Sequence, residues 1–235
     1  MLFSIGIVTV AGLVRGFAGF GGTMIIAPGL ALVFPTPHAV GISILLNVIV
    51  TLQLLPAAVP HVKWRELSLM GFAALVTPPL GTLILLAVDG DTMRRAIAVI
   101  VMAFTVVLAS GWRYTGKPHP IAAFLAGATG GVITGAAGTG GPPVILYIFA
   151  CGGSATEKRA SIIVVFGLLL VATLVSLTWH GIVNVETLWR VAVLTPFFLG
   201  MAWVGARLFK KSSDKLYHRI ALVALFLIAG AALIS

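Results

Sequence analysis

The chain has 235 residues, of which 60% are hydrophobic and only 9% are charged, whereas soluble domains carry about 25% charged residues. This composition excludes a water-soluble globular protein. Too few residues lie between the apolar runs to form a soluble domain or a nucleotide-binding fold. The formal net charge of +9 comes from basic residues in short connections, so it indicates membrane topology rather than a nucleic-acid surface.

Apolar segments long enough to cross a hydrocarbon core follow one another along the chain. They lie at about residues 2–34, 39–59, 67–88, 93–111, 120–150, 160–180, 187–208 and 216–234. The sequence therefore predicts an all-α integral membrane protein with about eight membrane elements. The segments at 2–34 and 120–150 are too long for one simple crossing and are interrupted by glycines, so each is predicted to be a broken or re-entrant helix.

The two interrupted segments belong to an internal repeat. A constant spacing of 119 residues relates Gly16, Gly19, Gly21 and Gly22 to Gly135, Gly138, Gly140 and Gly141. The same spacing relates Gly81 to Gly200. The pattern predicts two homologous four-element halves, residues 1–114 and 120–235, joined by a linker at 115–119.

Two membrane topologies fit this pattern. If all eight elements cross, the larger group of basic residues, which includes Lys158 and Arg159, is cytoplasmic, and Lys63 and Arg190 lie on the other side. The two halves are then parallel. If each broken element enters and leaves on one face, each half crosses three times and the halves are inverted. The sequence does not decide between these topologies.

The glycine-rich breaks are the best candidates for a binding site. Irregular backbone at membrane depth is tolerated only where protein surrounds it or where it lines a cavity, and paired breaks in two repeats are typical of transporter sites. A half-helix that begins at each break would direct free N–H groups and its positive dipole end toward an anion. The predicted substrate-binding backbone comprises Gly19, Gly21 and Gly22 in the first break and Gly138, Thr139, Gly140 and Gly141 in the second.

Other glycines of the same segments have a structural interpretation. Gly12-x-x-x-Gly16, Gly127-x-x-x-Gly131 and Gly131-x-x-x-Gly135 match the small-xxx-small pattern that lets membrane helices approach closely. We expect these glycines to pack helices together.

Two polar side chains complete the candidate site. Arg15 follows about a dozen apolar residues and stands just before the first break, where a charge costs several kcal/mol unless it is paired or hydrated. Its planar donor fork suits a bound oxyanion, although it could instead snorkel to the interface. Asn47 lies within the second span, either facing a cavity or bonding a neighbouring helix.

The sequence lacks the motifs that are typical of enzymes and of ATP-driven proteins. No carboxylate falls confidently mid-membrane, and no G-x-x-x-x-G-K-[ST], H-E-x-x-H or G-x-S-x-G motif is present. We expect neither an enzyme nor ATP drive, and no cofactor or metal.

The motif Gly16-Phe-Ala-Gly19-Phe-Gly21-Gly22-Thr-Met-Ile-Ile-Ala-Pro28, its counterpart Gly135-Ala-Ala-Gly138-Thr-Gly140-Gly141-Pro142-Pro143, the duplication and the size resemble the sulfite exporter TauE/SafE family, also called the toluenesulfonate uptake permeases. The resemblance covers essentially the whole chain. It implies a secondary carrier for sulfite, sulfonates or related small organic anions in a bacterial plasma membrane, which is the inner membrane of a Gram-negative cell.

The sequence thus predicts a multi-pass carrier that moves a small anion by alternating access between the two repeats, with export favoured by an inside-negative potential. A passive anion channel is the nearest alternative, because the same dipoles and arginine suit a pore. A membrane-embedded enzyme or assembly factor has less support. The lipid bilayer and a small anion are the expected partners, nucleic acid is not, and a homo-oligomer is possible.

Overall fold

A computed structural model describes residues 2–18, 21–110 and 119–210, and these residues are helical with no strand. The helices are α1 (Leu2–Ala18), α2 (Gly22–Leu30), α3 (Thr36–Ala58), α4 (Trp64–Val76), α5 (Pro78–Ala87), α6 (Gly90–Ala109), α7 (Pro120–Ala137), α8 (Gly141–Ala150), α9 (Ala155–Trp179) and α10 (Val185–Lys210). A short 3₁₀ turn, Val59–His61, follows α3. The predicted all-α class is confirmed, while the predicted segment at 216–234 and most of the linker lie outside the described residues.

Five segments of the described chain are long and apolar enough to cross a membrane. They are Thr36–His61, Leu67–Ala87, Pro120–Ala137, Thr156–Trp179 and Val185–Leu208. Two further apolar helices, Leu2–Phe17 and Gly141–Ala150, are shorter. An integral membrane protein is therefore the class that both composition and structure support.

The predicted segment at 67–88 is interrupted between α4 and α5. The interruption falls at Thr77, directly before Pro78 at the start of α5. Proline has no N–H to donate and its ring clashes with the preceding turn, so it ends or kinks a helix. The Thr77 hydroxyl donates to the Ala73 carbonyl at 2.9 Å and lies 3.1 Å from the Ala128 carbonyl of α7.

Each of the two predicted breaks is the tip of a helical hairpin. A Cβ built on Gly22 would lie 3.2 Å from the Cβ of Arg15, and one built on Gly29 would lie 3.0 Å from Ile7. Residues of increasing number in α2 therefore meet residues of decreasing number in α1, so α2 runs back along α1. In the second hairpin a Cβ on Gly130 of α7 would lie 2.9 Å from both the Gly140 carbonyl oxygen and the Val144 side chain of α8.

The small-xxx-small glycines pack helices, as predicted. In α1, Gly12 and Gly16 lie against the backbone of Phe198 and Ala202 in α10, and a Cβ on Gly16 would overlap that backbone. In α7, Gly131 lies against the side chains of Thr77 and Pro78, and Gly135 lies against the Pro78 carbonyl. Without Cβ atoms the helix backbones approach closely and gain van der Waals contact, which is the main attraction between helices in lipid.

The contacts of α5 and α10 change one correspondence that the spacing of 119 residues predicts, that of Gly81 with Gly200. Gly81 of α5 lies against the backbone of Val132 and Ala136, whereas Gly205 of α10 lies against that of Leu13 and Phe17. Val132 and Ala136 stand 119 residues after Leu13 and Phe17, which is the spacing of the predicted repeat. The packing counterpart of Gly81 is therefore Gly205 and not Gly200, which has open space around it.

Contacts between connections define the two ends of the helix bundle. At one end the Lys63 ammonium lies 3.3 Å from the Glu157 carboxylate. At the other end the Thr36 hydroxyl donates to the Gly90 carbonyl at 3.0 Å, and His38 lies 3.3 Å from the Thr187 hydroxyl. The connections after α3 and α8 therefore share one end, which disagrees with the topology in which all eight elements cross, because that topology separates Lys63 from Glu157.

We expect Gly16→Ala to destabilise the protein by about 1–3 kcal/mol, because its Cβ would overpack the α1–α10 contact. Gly200→Ala is the matched control, since nothing lies within 4 Å of the added Cβ. Thermal unfolding in detergent checks the pair: the midpoint should fall for Gly16→Ala and stay unchanged for Gly200→Ala. Equal midpoints would contradict this packing.

Candidate functional site

The first break begins α2 with a glycine pair. Gly21 has φ 89° and ψ −14°, a left-handed conformation that glycine adopts without a Cβ penalty. Helix α2 starts at the next residue, Gly22, and has no side-chain cap. Its first N–H groups therefore face the break, since the first four donors of a helix have no intrahelical partner. Gly19, also predicted to bind substrate, lies outside the described residues.

The second break joins α7 to α8 in the interior. Gly138 ends α7 with φ 68° and donates its N–H to the Thr134 carbonyl at 2.8 Å. Helix α8 starts at Gly141, and proline follows at the start of the helix, where its missing N–H costs nothing. All the residues between the two helices are buried.

Arg15 is buried at the last turn of α1 beside the first break. Its side chain is only 1% exposed. One guanidinium nitrogen, Nη2, donates to the Thr51 hydroxyl of α3 at 2.7 Å, and that hydroxyl donates to the Asn47 carbonyl at 2.7 Å. The expectation that Arg15 lies at the break therefore agrees with its burial, and an arginine that snorkels to the interface does not.

Helix α3 presents a buried polar stripe to this region. Ser43, Asn47 and Thr51 recur at i, i+4 spacing and so lie on one face, and none is more than 3% exposed. The Asn47 amide donates to the Ser43 carbonyl at 2.9 Å. A Cβ added to Gly22 would clash with the Oδ1 atom of Asn47. Asn47 thus contacts the start of α2, which the sequence left open.

The two breaks meet at a single aromatic ring, that of Phe166 in α9. The Arg15 guanidinium carbon lies 5.5 Å from the centroid of this ring, within the range of a cation–π interaction. A Cβ on Gly141 would clash with the Cζ atom of the same ring. On the other side, a Cβ on Gly138 would lie 3.6 Å from Ala27 of α2 and Val40 of α3. The second break therefore adjoins the first hairpin.

A second arginine, Arg159, reaches the first break from α9. Its Nη2 atom donates to the Gly16 carbonyl at 3.0 Å, and its positive charge acts on Arg15. The sequence reading placed Arg159 in a cytoplasmic connection and missed it. The capping box of Ser154 and Glu157, with hydrogen bonds of 3.2 and 2.9 Å, starts α9, so Arg159 stands on its second turn.

Two buried hydroxyls near the breaks have unused hydrogen-bonding capacity. Among the residues that the structure describes, neither Thr139 Oγ1 nor Ser43 Oγ has a hydrogen-bond partner, and both residues are 0% exposed. A buried hydroxyl without a partner costs free energy. These two groups therefore add polar capacity to the region that holds Arg15 and Asn47.

Two histidines lie away from the breaks. His61 and His180 are exposed, and within the described ranges no three His, Cys, Asp or Glu side chains are grouped as metal ligands. An open cleft at the end of the bundle that holds the Lys63–Glu157 ion pair is lined in part by Lys63, Lys158 and Ser161.

Comparison with known proteins decides the family. The model of the family described as "Sulfite exporter TauE/SafE" matches residues 4–233. The chain belongs to the sulfite exporter TauE/SafE family. It is therefore a multi-pass membrane protein of a transporter family and not an enzyme, and its place is the plasma membrane.

One curated relative is the "Probable sulfite/organosulfonate exporter TauE" of Cupriavidus necator (strain H16). It is 25% identical to this TauE/SafE chain over 174 residues, which is 71% of the chain and 67% of the relative. No solved structure matches the chain significantly.

Proposed function

We propose that this chain transports a small sulfur oxyanion, sulfite or an organosulfonate, through a central site between the two breaks. The relative's name supplies the substrate class. The observation that carries the proposal is the buried Arg15 guanidinium, which lies beside the start of α2 and donates a hydrogen bond to Thr51 of α3. A guanidinium and a helix N-terminus at one place both favour an anion over a neutral or cationic solute.

The proposed binding groups come from both hairpins. Arg15 supplies charge, Gly21 and Gly22 leave the backbone N–H groups of α2 open to a ligand, and Asn47 adds an amide. Thr139 and the glycines of the second break, Gly138, Gly140 and Gly141, form the opposite wall. The Phe166 ring lies against Gly141 of the second break and 5.5 Å from the Arg15 guanidinium beside the first break, so it stands between the two groups of binding residues.

The proposed architecture is an inverted duplication of residues 1–114 and 120–235, with 115–119 as the linker. Three observations support it. Both broken elements fold back as hairpins, α1 packs on α10 and α7 packs on α5 through glycines at equivalent positions, and Lys63 pairs with Glu157. In this arrangement each hairpin enters and leaves on one face, and each half crosses the membrane three times.

The proposed mechanism is alternating access. The two hairpins enter from opposite ends and their tips flank the midpoints of α3 and α9, so rocking one half against the other would open the site to either side. At an inside-negative potential, outward movement of an anion is favoured by about 2.3 kcal/mol per charge per 100 mV. Export is therefore the proposed direction.

We expect Arg15→Ala to remove transport while leaving the protein inserted. Losing one partner of a buried charge pair costs about 2–5 kcal/mol, or at least about 30-fold in Kd. The measurement is sulfite counterflow in proteoliposomes, with exposed Arg95 changed to Ala as the control for net charge. Normal counterflow in Arg15→Ala would contradict the role of Arg15, and wild-type conductance without exchange would favour a channel.

We expect Gly22→Ala to impair transport more than Gly29→Ala. Both substitutions add one methyl group to α2, but the first would displace Asn47 and approach Arg15, whereas the second meets only the flexible Ile7 side chain. Initial rates of sulfite uptake should fall at least about 10-fold for Gly22→Ala and stay near wild type for Gly29→Ala. Equal rates would argue against backbone approach of substrate at Gly22.

The inverted topology predicts which connections share a membrane face. In a Cys151→Ser background, His61→Cys and Thr156→Cys should react with an impermeant maleimide from one side. Val33→Cys and Val185→Cys, which are exposed at the other end, should react from the opposite side. Labelling of His61→Cys and Thr156→Cys from different sides would contradict the hairpins.

A further inference from the structure

We infer that Arg159 is a second anion-binding cation of the central site and makes that site selective for dianions over monoanions. This inference rests on the proposed function and deepens it. No recognisable sequence motif singles out Arg159, which is one of several basic residues near the start of a span. Its significance comes from its position in the fold.

The geometry brings Arg159 to the same break as Arg15. Its guanidinium is hydrogen-bonded at 3.0 Å to the carbonyl of Gly16, the residue that follows Arg15. The two arginines come from opposite halves of the chain, from α1 and α9. They reach the end of α1 where the start of α2 also directs its N–H groups.

Two guanidinium groups in one partly desolvated region repel each other. Arg15 is buried, Arg159 is half-buried, and like charges in a medium of lowered dielectric cost more than in water. A bound anion offsets this repulsion, and a dianion offsets it more fully than a monoanion. Sulfite in its fully ionised form, or an organic anion with both a sulfonate and a carboxylate, fits this requirement.

The hydrogen bond to Gly16 has a simpler structural use as well. Arginine near the C-terminal end of α1 satisfies a carbonyl that lacks an intrahelical partner and complements the helix dipole. Helix capping alone requires a donor at this point but no discrimination between ligand charges. The two roles therefore differ in a measurable way.

The two probes are sulfite and methanesulfonate. Sulfite is a dianion at alkaline pH, whereas methanesulfonate, which carries a methyl group on a sulfonate of similar size, is a monoanion. Their Kd values are measured by calorimetry on the purified full chain. We expect wild type to bind sulfite at least about 10-fold more tightly than methanesulfonate. Arg159→Gln removes the charge, and because its side chain is shorter it also loses the hydrogen bond to the Gly16 carbonyl. In this variant the Kd of sulfite should rise at least about 10-fold and the Kd of methanesulfonate by less than about 3-fold.

Arg159→Lys and Lys158→Gln serve as the controls. Arg159→Lys keeps the charge and should restore most of the sulfite preference. Lys158→Gln removes a neighbouring charge whose ammonium bonds the Phe149 carbonyl at 3.2 Å, and it should leave the ratio of the two Kd values unchanged.

Two failures are distinguishable. If wild type binds neither probe, the proposed function is overturned together with its substrate class. If wild type binds the probes but Arg159→Gln keeps the wild-type ratio, or Lys158→Gln changes the ratio equally, the assignment of Arg159 is overturned and the proposed function stands. A loss of thermal stability in Arg159→Gln with an unchanged ratio would leave helix capping as the role of Arg159.

Discussion

A helix that ends inside a membrane leaves backbone N–H and C=O groups that lipid cannot satisfy. In this chain α1, α2, α7 and α8 all end or begin in the interior, at two breaks, and the rest of the fold encloses them. Helices α3 and α9 supply the polar stripe and the aromatic ring against the breaks. Helices α10 and α5 pack against α1 and α7 through glycine contacts. The same unpaired donors that make the breaks costly in lipid make them suitable for an anion.

The two positive charges of the site are also positioned by the first break. Arg15 is held by Thr51, and Arg159 by the end of α1, so each cation is fixed by a hydrogen bond to an element that frames the first break. The two arginines lie on opposite halves of the chain, and their relative position therefore depends on how the halves pack. In an alternating-access cycle, such a pair would respond to movement of the hairpins, and a bound oxyanion would link the halves.

Much of this arrangement can be predicted from the sequence. The rest cannot, for physical reasons that differ from feature to feature. Glycines at close spacing marked both breaks, and Gly12, Gly16, Gly131 and Gly135 marked the helix contacts, because a missing Cβ has few other uses in an apolar helix. The direction in which α2 leaves its break depends on tertiary packing, so the topology remained open. Arg159 was missed because a cation near a span end usually reaches water, and its inward reach depends on where α1 ends. The bend at Pro78 was also missed, although proline is its signal.

The central claim is that one anion binds between the two breaks, beside Arg15. A crystal structure of the protein with selenite, an oxyanion close to sulfite in shape and charge, tests it through the anomalous scattering of selenium. We expect one strong anomalous peak within hydrogen-bond distance of the Arg15 guanidinium, near Gly22 and Asn47. A peak confined to the cleft at Lys63 and Lys158, with none at the breaks, would contradict it.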